Sequence, residues 1–265
     1  MYWRGTQGWV EVETGAETLR DRAFQLGDGV FETFRIDDGE IRHARLHRQS
    51  LETACAALAL AMPDWRDVEA GVAHLHPGSG IGKLQVTRGP GARGLAPIAG
   101  LKEALFLQFS PLNDPPVALQ LAMSSVRRSA SSLAARFKTM SYADNLAARR
   151  EAVSKGADMA LLCTESGHLS GGDSANLFWL AGGEILTPSL DCGVRNGVMR
   201  QRVMAWCRAQ DYRLREVAED RSALMQAEIA WMTNAVLGVV PVAAIDGRDM
   251  PTGDDLLTAL KTAGL

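Results

Sequence analysis

The sequence contains little of what marks several classes of protein. Its four cysteines, at positions 55, 163, 192 and 207, show no CxxC spacing, so reduced thiols are predicted rather than a disulfide framework or a zinc site. No apolar run approaches the roughly 18 residues of a membrane span. The polar start is unlike a signal peptide, so a cytoplasmic location is expected. The net charge of −3 gives no electrostatic reason to expect nucleic acid or an anionic membrane as a partner.

Lysine is also scarce, since only five of the 28 basic residues are lysine, at positions 83, 102, 138, 155 and 261. Lys138 stands between Phe137 and Met140, just before a predicted helix. Two interpretations are open: a solvated surface charge, or an amine whose desolvation lowers its pKa, so that it can act first as a nucleophile and then as a proton shuttle. The five histidines form no metal-like cluster, and no metal site is predicted.

The pattern of elements in the first half predicts an α+β domain. Residues 30–36, 83–89 and 104–112 have the composition of strands, and the segment from Ala44 has the apolar periodicity of a helix. Three prolines within residues 111–116 indicate a linker. We therefore predict a smaller domain over residues 1–112 and a larger one over residues 118–265.

The second half also mixes helices and strands. A helix is predicted from about Tyr142 to Lys155, with Tyr142, Leu146 and Val153 on one apolar stripe and Gly156 as its stop. Short strands follow, then a helix opened by Asn196 and Gly197, and last a helix that leads into strands. Because the order lacks strict β-α-β alternation, two α+β domains are favoured over one doubly wound sheet.

Two short stretches could hold an anion. Gly193 and Gly197 flank a turn before a helix, so the N–H groups of Val198 and Met199 are left without helical partners and suit a phosphate. Asn234 lies in a second loop of small polar residues. A phosphate-binding helix start together with the amine of Lys138 suggests pyridoxal 5'-phosphate.

Six segments resemble, in their order, the fold-type IV pyridoxal-phosphate enzymes, over residues 20 to 245: DRAFQLGDGVFETFRIDDGEI, VTRGPGARG, KTMSYADNLAARREAVSKGAD, SANLFWLAGGEILTP, GVRNGVMRQ and NAVLGVVPV. Within this family, RGPGARG and NGVMRQ are most similar to aminodeoxychorismate lyase. The resemblance implies a two-domain fold, a homodimer and the cofactor pyridoxal 5'-phosphate. It assigns cofactor attachment to Lys138, phosphate binding to Val198, Met199, Asn234 and Ala235, and the substrate side to Arg88 and Arg93.

Two positions depart from the family pattern. Gly171 stands where the resemblance places a glutamate that keeps the cofactor's ring nitrogen protonated, and Ser50 where it places an arginine that binds the phosphate. In a regular strand residues 171 and 173 share a face, so Asp173 is a candidate for the first role. Arg45, on the same predicted helix as Ser50, is a candidate for the second.

The resemblance leaves three functions open. The favoured one is a lyase that converts 4-amino-4-deoxychorismate to 4-aminobenzoate and pyruvate for folate synthesis. The second is an aminotransferase acting on D-amino or branched-chain amino acids, and the third is a non-catalytic member of the family. A lyase is expected to tolerate Gly171 better than an aminotransferase, because aromatisation of the ring drives its reaction. Replacing Gly171 with glutamate is then expected to raise side transamination.

Overall fold

The computed structural model describes residues 1–5, 8–11, 18–92, 94–96 and 100–265. The contacts divide the chain into two compact units: Met1–Asn113 with Phe137–Ser141, and Asp114–Arg136 with Tyr142–Leu265. The main division falls inside the proline-containing segment 111–116. The grouping differs from the predicted domains at Lys138, which was expected in the larger domain. Its contacts assign it to the first unit, because the backbone of its segment is hydrogen-bonded to a strand of that unit.

The first unit contains one antiparallel sheet with helices on its apolar face. Its strands are β1 (Tyr2–Gly5), β2 (Gly8–Glu11), β3 (Gly29–Asp37), β4 (Glu40–Ile41), β5 (Gly80–Thr87) and β6 (Ala104–Ser110), in the order β2-β1-β6-β5-β3-β4. Its helices are α1 (Arg22–Leu26), α2 (Ala44–Ala57) and α3 (Trp65–Leu75). Alternate side chains of β3, among them Phe34 and Ile36, are fully buried in the core with Leu51 of α2. The opposite face of the sheet is left half-buried.

The second unit contains a mixed nine-stranded sheet in the order β12-β11-β10-β13-β14-β7-β8-β9, with β15 paired to β14. The strands are β7 (Leu119–Arg128), β8 (Met159–Thr164), β9 (Leu169–Gly172), β10 (Asn176–Ala181), β11 (Glu184–Pro188), β12 (Leu214–Val217), β13 (Ile229–Asn234), β14 (Gly238–Ile245) and β15 (Arg248–Asp249). The helices are α4 (Leu133–Arg136), α5 (Ala143–Ser154), α6 (Val198–Ala209) and α7 (Asp255–Thr262). Helix α5 packs on β7 and β8, and α6 packs near β13.

The predicted apolar stripe on α5 is wrong. Leu146 and Val153 are 55% and 60% exposed, and the buried face consists of Ala148 and Ala152. The two alanines contact Ala122 and Ala160 of the sheet, because small side chains allow the helix backbone to approach the strands closely. The ends of the helix agree with the prediction, including Gly156 at φ +76° as its stop.

Other differences lie where the sequence signals are short. The helix predicted before β13 is only a 3₁₀ turn, Arg221–Met225, and helices α3 and α7 have no counterpart in the prediction. The strands predicted at residues 30–36, 83–89 and 104–112 correspond to β3, β5 and β6. No helix in the described ranges has the length and apolar character needed to cross a membrane.

Candidate functional site

The segment around Lys138 is fixed by backbone hydrogen bonds to β3. The N–H of Phe31 donates to the carbonyl of Lys138 at 2.8 Å, and the N–H of Met140 donates to the carbonyl of Gly29 at 2.9 Å. The Lys138 Nζ lies 4.1 Å from the centroid of the Phe31 ring. The backbone that carries the Lys138 amine is therefore held in a defined position, as a covalent attachment point requires.

A second amine shares the same aromatic ring. Lys83 of β5 places its Nζ 4.8 Å from the Phe31 centroid, and burial lowers the pKa of Lys83. Both side chains lie on the half-buried face of the first unit's sheet, together with Thr33, which pairs with Lys83. The open face of this sheet is therefore cationic around Phe31.

The start of α6 in the second unit is a helix end without a side-chain cap. Gly197 occupies the N-cap position with an extended backbone, and no described side chain hydrogen-bonds there as a cap. A Cβ at position 197 would lie 2.3 Å from the Oδ1 of Asn176, so a larger residue there would displace the Asn176 side chain. Val198 and Met199, the predicted phosphate donors, form the buried first turn. The helix start thus offers N–H groups and its partial positive charge to an anion.

Asn176 of β10 brings this helix start next to the end of β13. Its Nδ2 donates to the carbonyl of Arg195 at 3.0 Å, and its backbone pairs with Thr233. The Thr233 hydroxyl and the Nη1 of Arg195 are both buried and have no hydrogen-bond partner within the described residues. Two unpaired donors beside an uncapped helix fit an anionic group such as a phosphate. The sequence pattern indicates Thr233, which lies with Asn234 in the second loop of small polar residues, but it does not indicate Asn176 or Arg195.

The loop that follows Thr233 has its own internal hydrogen bonds. The Oδ1 of Asn234 accepts the N–H groups of Val236 and Leu237, and its Nδ2 donates to the carbonyl of Ser174. The side chain of Asn234 therefore shapes the turn that carries Ala235 into β14. Asn234 is the last residue of β13 and Ala235 comes directly after it. Both follow Thr233, whose buried hydroxyl has no partner within the described residues.

The position of the missing glutamate is unlike a regular strand. Gly171 has a φ of +94°, and the pairing of β8 with β9 shifts register nearby, so the alternation that would place residues 171 and 173 on one face does not apply. The Asp173 carboxylate instead accepts from the Nε of Arg149 at 2.7 Å and from the N–H of Ala160 at 2.8 Å. The expectation that Asp173 turns towards the cofactor ring is corrected by these contacts.

Arg128 binds the backbone on both sides of Gly171. Arg128 donates from Nη1 to the carbonyl of Ser170 at 3.2 Å and from Nη2 to the carbonyl of Gly172 at 3.3 Å. Burial is the main cause that lowers the pKa of Arg128, and the like charge of Arg195 acts in the same direction. The second unit therefore has two guanidinium groups close together near the start of α6.

The arginines proposed for the first unit have varied surroundings. Arg45 is exposed on α2, and Ser50 donates its hydroxyl to Glu32 at 2.6 Å. Arg88 binds Asp28 and the carbonyls of Leu58 and Ala59, so its guanidinium connects β5 to the end of α2. These contacts occupy most of the donors of Arg88. Arg93 lies outside the described residues.

The comparisons with known proteins agree with this geometry. The sequence profile described as Amino-transferase class IV matches residues 29–245. This chain belongs to the class IV aminotransferase family. Its cofactor is pyridoxal 5'-phosphate, and the uncapped helix start with its two unpaired donors fits the phosphate of that cofactor.

Relatives of this class IV chain include enzymes of two activities. It is 30% identical to an aminodeoxychorismate lyase of Vibrio harveyi, covering 89% of this chain and 91% of the relative. It is 26% identical to a D-alanine aminotransferase of Bacillus licheniformis, covering 92% and 88%. Among solved structures, the 4-amino-4-deoxychorismate lyase from Pseudomonas aeruginosa is 29% identical, with a TM-score of 0.86 and coverage of 96% and 95%. The fold is the two-sheet α+β fold of this family.

Proposed function

We propose that this class IV chain is an aminodeoxychorismate lyase, which converts 4-amino-4-deoxychorismate to 4-aminobenzoate and pyruvate in folate synthesis. The similarity to the Vibrio harveyi lyase, over nearly the whole of both chains, carries the proposal. The lyase structure from Pseudomonas aeruginosa supports it, because the two chains match over almost their full lengths.

Lys138 is the catalytic residue of the proposed reaction. When bound, pyridoxal phosphate supplies an electron sink to the carbon that carries the substrate's amine. The amine of Lys138 would hold the cofactor, be released when the substrate's amine takes its place, and then, as the free amine, remove the proton from that carbon. Backbone hydrogen bonds to β3 fix the segment that carries Lys138. Loss of pyruvate then leaves an aromatic ring, so the reaction has a driving force of its own.

An assay on 4-amino-4-deoxychorismate tests the proposal. The purified chain with pyridoxal phosphate is expected to release 4-aminobenzoate and pyruvate in equal amounts, and Lys138→Ala is expected to lose both the activity and the absorption band of the attached cofactor. A cofactor band in the native chain without either product would reject the lyase assignment. That result would leave an aminotransferase or a non-catalytic member of the family.

The second candidate is an aminotransferase, which the D-alanine aminotransferase among the relatives favours. Incubation with D-alanine or a branched-chain amino acid alone separates the two activities. Only a transaminase converts its bound cofactor to the pyridoxamine form under these conditions, and the change is visible in the absorption spectrum. A stable spectrum together with release of 4-aminobenzoate supports the lyase.

We also propose the remaining features that the resemblance implies. These are a cytoplasmic homodimer, two domains over residues 1–112 and 118–265, and a substrate side that includes Arg88 and Arg93. In the phosphate site, Val198, Met199 and Ala235 contribute backbone donors. Arg45 has no role assigned by its contacts, since its side chain is exposed on α2.

A further inference from the structure

The start of α6 has more hydrogen-bonding capacity than the protein itself uses. The Thr233 side chain is only 1% exposed and its hydroxyl has no partner within the described residues. The Nη1 of Arg195 is likewise buried and unpaired in this part of the chain. A buried donor without a partner destabilises the fold, so two such donors near one helix start indicate a ligand that accepts hydrogen bonds.

The charge of the same region points to an anion. The charge of Arg195 acts on Arg128, as do the opposite charges of Asp173 and Asp144, and neither arginine forms a salt bridge within the described ranges. The nearby Asp173 is already paired with Arg149. Arg195 is therefore a cation without a carboxylate partner in this part of the chain, and a dianion at the helix N-terminus would supply the opposite charge. Phosphate has this charge and accepts hydrogen bonds on each oxygen.

Arg195 lies where it can reach such an anion. One of its nitrogens, Nη2, is 3.8 Å from the position that a Cβ on Gly197 would take, and Gly197 is the residue before the free N–H groups of α6. The backbone carbonyl of Arg195 is fixed by Asn176, which sets the direction of the turn. The Arg195 guanidinium therefore lies close to the N-terminal end of α6.

We propose that Arg195 is the cationic ligand of the cofactor phosphate in this chain. The inference rests on the proposed cofactor site, and it explains how the chain functions with Ser50 at the position where an arginine was expected. Ser50 cannot take that part, because its hydroxyl donates to Glu32. Thr233 supplies a neutral hydrogen bond to the same phosphate.

Binding of two forms of the cofactor tests this inference. Pyridoxal phosphate and pyridoxal, which lacks the phosphate, are titrated into the native chain, Arg195→Gln, Arg195→Lys and the control Arg127→Gln, with absorption as the readout. Arg195→Gln is expected to weaken pyridoxal phosphate binding roughly 10- to 100-fold and to leave pyridoxal binding unchanged. Arg195→Lys is expected to keep part of the affinity, and Arg127→Gln all of it, because Arg127 has the same charge but is exposed on β7 and has no contact with the start of α6 among the described residues.

Inorganic phosphate tests the anion site with a ligand that has no pyridine ring and forms no bond to Lys138. It is expected to compete with pyridoxal phosphate in the native chain and much less in Arg195→Gln or Thr233→Val. Unchanged affinity in Arg195→Gln, or equal losses for pyridoxal phosphate and pyridoxal, would overturn the role of Arg195. A native chain that binds the cofactor through Arg195 without releasing 4-aminobenzoate would reject the lyase and keep this inference. A native chain that binds neither phosphate nor pyridoxal phosphate would reject both.

Discussion

At the scale of single residues, the contacts of a carboxylate decide what it can do. Asp173 is 3% exposed and bound to Arg149 and Ala160, so its charge stabilises the packing of α5 on the sheet. A carboxylate shared in this way has little accepting capacity left for a ring nitrogen. The same principle separates Arg88, whose donors are used within the first unit, from Arg195, which has a buried nitrogen without a partner among the described residues.

The exchange Asp173→Asn tests the structural role. It removes the charge that accepts from Arg149 and Ala160, and we expect a loss of about 1–2 kcal/mol in the free energy of unfolding, because these hydrogen bonds weaken while the 39% exposed Arg149 keeps its access to water. Urea denaturation measures it, with Arg149→Gln as the matched variant from the other side of the pair. Unchanged stability combined with an altered absorption spectrum of the bound cofactor would instead assign Asp173 to the cofactor ring.

Lys83 gives a prediction on pH. Burial lowers its folded-state pKa below the unfolded value, so the folded chain binds fewer protons than the unfolded chain between these two values. The resulting penalty is fully present below the folded pKa and disappears as pH rises through the window. We expect Lys83→Met to raise Tm at pH 7 relative to the native chain, and the gain to shrink towards pH 10. A gain that grows with pH would contradict burial as the cause of the lowered pKa.

At the scale of elements, the backbone of β9 opposes a glutamate at position 171, where the family pattern has one. Gly171 has a φ of +94°, a backbone conformation that side chains with a Cβ rarely adopt. Its altered geometry accompanies the register shift between β8 and β9, and Arg128 binds the carbonyls on either side. The strand is thus adapted to glycine.

The exchange Gly171→Glu follows from this geometry. We expect it to cost about 1–3 kcal/mol of stability through backbone strain, so any gain in side transamination has to be measured on the folded fraction. Gly253→Glu is the control, because position 253 has open space and no positive φ. Equal thermal unfolding of Gly171→Glu and the native chain would show that β9 adapts, and transamination could then be compared directly.

At the scale of the whole molecule, α5 leaves apolar side chains in solvent. Leu146 and Val153 are more than half exposed, and the proposed homodimer would cover them with a second copy of the chain. The proposed homodimer predicts a light-scattering mass of twice the chain mass of 28.5 kDa. The double variant Leu146→Glu with Val153→Glu is expected to shift the mass towards one chain. A native mass of one chain would reject the homodimer.

The sequence by itself determined the family, the α+β class and the main elements. Glycine-bounded turns, alternating apolar residues and helix stops are local signals, so β3, β5, the ends of α5 and the start of α6 were predictable from adjacent residues. The separate motifs kept the family's order, which was enough to assign the cofactor and to predict Lys138 as its attachment point.

Only the tertiary structure decided which side chains are already paired. Whether Asp173 meets Arg149, whether Arg88 binds the end of α2, and whether Arg195 lacks a partner among the described residues all depend on elements far apart in sequence. The buried face of α5 depended on the alanines of the sheet beneath it in the same way. Packing and hydrogen-bond satisfaction are properties of the assembled chain, and for that reason local patterns did not contain them.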